Sequence, residues 1–130
     1  MPTYTIKQRC IAAAITGLIL HALIFHPWID YSHRERTMPG ALPMAIAFII
    51  AGFVLTFGLR ERRGLVLMSI VGGMFLGNAA LCAYDWMGDP TTHNLFPFEF
   101  LMIAFAIVPA AVGAFLGHAA ARIINTDSAP

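Results

Sequence analysis

The chain has 130 residues, of which 58% are hydrophobic and 12% charged, with a formal net charge of +1. Its mean hydropathy of +0.73 is more apolar than a water-soluble domain of this size tolerates, which excludes a soluble enzyme or binding module. Lipid is the expected solvent.

Four apolar segments stand out over windows of about 19 residues: 10–29, 41–59, 64–84 and 95–121. They consume most of the chain, so a single integral membrane domain over 1–130 is expected. The fold class that follows is an all-α membrane protein, an antiparallel bundle of four transmembrane helices. Short connections place neighbours in sequence side by side.

The first segment follows Lys7 and Arg9, as the apolar core of a signal peptide would, but its apolar run is about twice as long as such a core and no A-x-A pattern follows it. It reads as an uncleaved anchor. His21 is its polar group, roughly 16 Å along the helix axis from Cys10 and so near the midplane. His26 lies further out, and Pro27 is expected to distort or end the helix before Trp28.

The connection 30–40 is polar and of mixed charge, and reads as a solvated face with local ion pairs. The second segment has no ionisable residue. Gly52 and Gly58 permit close approach of a neighbour, and Pro43 sits in the first turn, where a missing N–H costs little.

The third segment carries Gly73-x-x-x-Gly77, a groove that lets helix backbones touch where no hydrophobic force draws helices together. Asn78 follows, about 21 Å from Gly64, and its amide requires a partner in hydrocarbon. The fourth segment is expected to start at Asn94 as N-cap, with Pro97 and Glu99 in its first turn, where the positive helix end favours a carboxylate. Pro109 leaves the carbonyl of Phe105 without its donor and should kink the helix. Gly113-x-x-x-Gly117 offers a second packing face. The two glycine motifs resemble each other as packing faces, and no internal repeat is read.

Lys7, Arg9, Arg60, Arg62, Arg63 and Arg122 fall at one set of helix ends, against Arg34 and Arg36 at the other. The positive-inside rule then places both termini and the turn 60–63 in the cytoplasm, N-in and C-in, with loops 30–40 and 85–94 on the outer face. Trp28, Tyr31, Tyr84 and Trp86 gather at that outer face, as an interfacial aromatic belt would. The arginine turn acts as a topological signal, and no nucleic-acid partner is expected. The bacterial inner membrane fits these short loops.

The stretch 84–100 concentrates Asp85, Asp89, His93, Asn94 and Glu99 between apolar segments. With His26 it forms a candidate cation site, His26, Asp85, Asp89, His93 and Glu99, since imidazole and carboxylate together suit a divalent transition metal. No H-x-x-x-H, H-E-x-x-H or EF-hand spacing is present, so the alternative is that these groups cap helices and tie the loop. No other cofactor is expected. A second constellation is a polar path of His21, Asn78 and Glu99, because intramembrane ionisable groups are functional suspects. Cys10 and Cys82 fall near opposite faces, roughly 30 Å apart, which excludes a disulfide between them. No catalytic residue is assigned, because no serine or cysteine stands in a motif with a base.

In size and span number the chain is similar to small multidrug transporters, whose first helix carries a membrane-embedded glutamate. Here that helix has His21 and no acid, and the charge bias is strong where theirs is weak, so no site residue transfers. Two function classes remain. One is a non-enzymatic membrane protein whose outer loop docks a partner or a cation; the other is a small transporter or channel subunit using His21, Asn78 and Glu99. Glycine faces left over after packing would favour a homo-oligomer or a larger membrane complex.

Overall fold

The computed structural model describes residues 5–27, 29, 33, 39–59, 61–91 and 96–126. The helices that the described residues form are α1 Ile6–Phe25, α2 Ala41–Thr56, α3 Arg63–Gly88, α4 Phe96–Phe105 and α5 Ile107–Thr126. No strand occurs among the described residues. Among the described residues three helices are long and apolar enough to cross a membrane, α1, α3 and the run Pro97–Ile124 that joins α4 to α5, while α2 is a shorter apolar helix. At 16 residues, α2 spans about 24 Å.

The boundaries differ from the hydropathy reading for local reasons. Instead of at residue 10, α1 begins at Ile6, because Thr5 and Gln8 form a capping box: the Gln8 N–H donates to Thr5 Oγ1 and the Thr5 N–H to Gln8 Oε1. Its end comes at Phe25, where His26 turns left-handed at φ 44° ahead of Pro27. Counted within these limits, His21 sits one turn from the helix end and not at its middle.

Leu59 is no longer helical, because α2 stops at Thr56 and Gly58 takes φ +73°. The carbonyls freed there are taken by arginine. Arg9 Nη1 donates to the Leu55 and Phe57 carbonyls at 3.2 and 2.8 Å, and Arg63 Nε donates to Leu59 O at 2.8 Å.

Running through Gly88 instead of stopping at 84, α3 makes Asp85 and Trp86 part of a helix. The last span breaks at Ala106, three residues before Pro109, as expected of a missing N–H.

The exterior is apolar as well as the core. Ile11, Ile15, Ile19 and Leu23 on α1, and Leu42, Ile46, Ile50 and Val54 on α2, form exposed stripes at a spacing of one helical turn. Buried within are His21, Thr56 and Asn78, at 2%, 0% and 1% exposure. Such a bundle is compatible with lipid as its solvent.

Neighbours in sequence are not the tight pairs. Instead α1 packs along α3, and α2 along α5. Within each pair the helices run parallel: Ala14, Gly17 and His21 meet Gly73, Ile70 and Gly77, and Ile49, Gly52 and Phe53 meet Gly113, Ala110 and Gly117. Consecutive helices still alternate in direction, since Arg9 near the start of α1 reaches the end of α2.

Glycine explains the pairing. A Cβ on Gly17 would overlap the Ile70 carbonyl, and one on Gly73 the Ala14 carbonyl. In the other pair, Gly52 and Gly113 stand the same way against the Ala110 and Ile49 carbonyls. The short-loop argument lost to this backbone contact, which consecutive helices cannot match.

The two pairs are also alike in sequence. Residues 73–80, GMFLGNAA, and 113–120, GAFLGHAA, differ only at Met74/Ala114 and Asn78/His118. On the partner helices Gly17 corresponds to Gly52, and His21 to Thr56. An internal repeat is therefore present, with its copies pointing in opposite directions. This corrects the reading that the glycine motifs are alike only as packing faces.

Candidate functional site

At the end of the bundle where α4 begins, polar side chains from three helices meet. His21 Nε2 lies 3.3 Å from Asn78 Oδ1, and Asn78 Nδ2 donates to Glu99 Oε2 at 3.4 Å. Cys82, one turn on from Asn78, donates its thiol to the same Glu99 oxygen at 3.5 Å. The helices hold each member by a different contact. The His21 ring lies over Gly77, where a Cβ would come within 2.8 Å of Nδ1, and it stacks on Phe25 with centroids 4.7 Å apart. Phe100, beside Glu99, packs edge-on against Phe75 of α3 with centroids 5.3 Å apart.

The hydrogen-bond chemistry runs in one direction. An ionised carboxylate only accepts, so Glu99 calls for the amide NH2 of Asn78. That leaves Asn78 Oδ1, an acceptor, facing His21, whose Nε2 must then carry the hydrogen. His21 and Asn78 are fully buried while Glu99 is half-buried, so the chain leads from the edge of the bundle into its interior.

The structure thus brings His21, Asn78 and Glu99 together, whereas the residues grouped as a cation site are placed apart in character. His26 ends α1, Asp85 lies in the last turn of α3, and Glu99 is engaged by Asn78 and Cys82. Asp89 caps α3 in extended conformation, its Oδ1 accepting from the Thr91 N–H at 2.9 Å and the Thr91 hydroxyl at 2.8 Å. These bonds, the backbone one foremost, hold its carboxyl below the usual aspartate range. His93, and Asn94 as the expected N-cap, lie outside the described residues. Among the described residues no three His, Cys, Asp or Glu side chains form a group able to hold a metal ion.

Three features were not singled out from sequence. Cys82, read only as a thiol without an activating base, joins the chain at Glu99. Arg63 Nη2 donates to His118 Nδ1 at 2.7 Å, tying α3 to α5 at the opposite end of the bundle. The glycine of α1 at the closest approach, Gly17, has no second glycine at the x-x-x spacing to mark it in the sequence. Aligning 73–80 with 113–120 would have exposed Asn78 and His118 as counterparts.

No protein-family model, curated protein or solved structure matches this chain.

Proposed function

We propose that this is a small integral membrane protein that passes protons by way of the His21–Asn78–Glu99 chain, as a transporter or channel subunit. The observation carrying this reading is the convergence of two proton-binding side chains on a buried amide, from three different helices, in a bundle whose exterior is apolar. In the same reading the arginine-rich ends face the cytoplasm, both termini lie inside, loops 30–40 and 85–94 face outward, and the membrane is the bacterial inner membrane. Gly64 and Gly72, with open space at their Cβ positions, offer a seam for a second copy or a larger complex.

The test is proton flux in liposomes of the purified protein, with the membrane potential clamped and a pH-sensitive dye inside. Wild-type protein should dissipate an imposed pH gradient, and Glu99→Gln should bring the rate down to that of empty liposomes. Wild-type liposomes no faster than empty ones, or a Glu99→Gln variant as fast as wild type, would refute the path.

A second reading, outer-loop docking of a divalent cation by His26, Asp85, Asp89, His93 and Glu99, rests on the exposed Asp89 carboxylate alone, which Thr91 orders, since no three such side chains group among the described residues. Metal titration calorimetry would show heat that Asp89→Asn removes. Absence of heat in the wild type ends this reading.

A further inference from the structure

The inverted repeat puts His118 where its counterpart has Asn78, and each contacts the opposing pair through a charged residue. Asn78 meets Glu99, which begins the span containing α5; His118 meets Arg63, which begins α3. The first contact lies beyond the Gly17–Gly73 crossing toward the Glu99 end, and the second lies beyond the Gly52–Gly113 crossing toward the arginine end. Each glycine-zipped pair is internally tight, whereas these polar contacts join one pair to the other.

We propose that His118 is a second proton-binding site, the counterpart of the Asn78–Glu99 node, and that protonating it releases Arg63 and loosens α3 from α5 at the arginine end, where Arg9 continues to hold α1 to α2. The proposal extends the proton-handling reading to a second node.

The chemistry follows from Arg63. A guanidinium has donors and no acceptor, so its bond to Nδ1 requires a lone pair there, and the neutral imidazole keeps its hydrogen on Nε2. A proton arriving from water takes that same lone pair. The ring becomes a donor at both nitrogens, a second positive charge beside Arg63, and the Arg63 N–H must turn away to water or to a carbonyl. Proton binding and the Arg63 contact are mutually exclusive. Water can arrive because His118 and Arg63 are both half-buried.

Among the described residues the charges acting on His118 are both positive, and the acid at this end, Glu61, lies exposed in the turn before Arg63. Arg63 faces His118 from α3 and Arg122 from its own helix. No ionisable residue occurs on α2, and Arg9 of α1 is engaged with the Leu55 and Phe57 carbonyls at this end. Glu99 and Asn78 at the other end present a carboxylate where this end presents a guanidinium. One fold thus carries an acidic proton site at one face and an imidazole site at the other.

The test is a pair of spin-label distances in the full chain in bilayers, on a Cys10→Ala/Cys82→Ala background. Labels replacing the exposed Leu65 and Ile123 report the arginine end, and labels replacing the exposed Met87 and Phe98 report the Glu99 end. Going from about pH 8 to about pH 5, the range in which imidazole titrates, should lengthen the 65–123 distance by several ångströms. His118→Asn, which installs the residue of the other repeat, should abolish that change, and His118→Gln should do the same. The 87–98 distance at high pH should match wild type in both variants and so verifies the fold.

A 65–123 distance that ignores pH in the wild type, or that still responds in both His118 variants, would overturn the proposal. The readout does not depend on flux. A pH-driven distance change without proton flux would therefore refute the transport reading and leave the second node standing.

Discussion

The α1/α3 pair and the α2/α5 pair share a backbone solution and differ in the polar atoms they enclose. In both, glycines at equivalent positions let one helix rest on the carbonyls of its partner: Gly17 and Gly73 in the first, Gly52 and Gly113 in the second. Where the first pair buries His21 against Asn78, the second has Thr56, whose hydroxyl turns back on the Gly52 carbonyl at 2.7 Å, and His118, which accepts from Arg63. Close packing is thus common property, and chemistry is confined to single substitutions on it. The difference also sorts charge, with a carboxylate on the first node and a guanidinium on the second.

The glycine contacts should give the largest effects and treat the pairs equally. Gly73→Ala and Gly113→Ala each place a methyl on a backbone carbonyl, and the overpacking should cost about 3 kcal/mol or more. Gly72→Ala and Gly64→Ala, which meet open space, should be neutral or stabilising by up to about 1 kcal/mol. Unfolding in detergent micelles measures all four. Equal losses at Gly72 and Gly73 would break the zipped-pair description.

The polar nodes should separate the pairs. Asn78→Leu removes the bonds to both His21 and Glu99 and should destabilise by about 1–2 kcal/mol. Thr56→Val removes only a bond within one helix and should cost about 0.5 kcal/mol. Similar costs at the two positions would mean that the His21–Asn78–Glu99 chain contributes no more than a local hydroxyl does.

The smallest effect lies just past α3. Because its native carboxyl titrates lower than in the unfolded chain, Asp89 contributes stability that is complete above the ordinary aspartate value of about 4. That contribution is lost as pH falls through the lowered native value. Thr91→Ala removes the hydroxyl bond and keeps the backbone one, so the Asp89 midpoint should rise partway toward the ordinary value. Carboxyl carbon NMR reads that midpoint, and an unmoved value would leave the backbone N–H as the whole cause.

Much of the fold was legible because long apolar runs obey a simple rule: away from water a polar backbone must satisfy itself, so such runs become helices. Pro27 and Pro109 marked real ends and breaks for the same reason. Helix pairing was not legible from loop length, since the decisive contact is between Gly17 and the Ile70 carbonyl, and α1 shows only one glycine there. Polar groups such as Asn78 and Glu99 could be picked out singly, as costly residues in apolar spans. Their meeting with His21 depended on α1 packing along α3, which hydropathy does not encode. Arg63 read as a topological signal from its position in a turn, and its bond to His118 follows only from how α3 meets α5.

The most direct test of the buried chain is magic-angle-spinning NMR of the protein in bilayers, labelled at His, Asn and Glu. We expect through-space correlations from His21 Nε2 to the Asn78 side-chain carbonyl carbon and from the Asn78 amide nitrogen to the Glu99 carboxyl carbon. A His21 Nε2 that correlates with neither residue would contradict the chain and the proton path built on it.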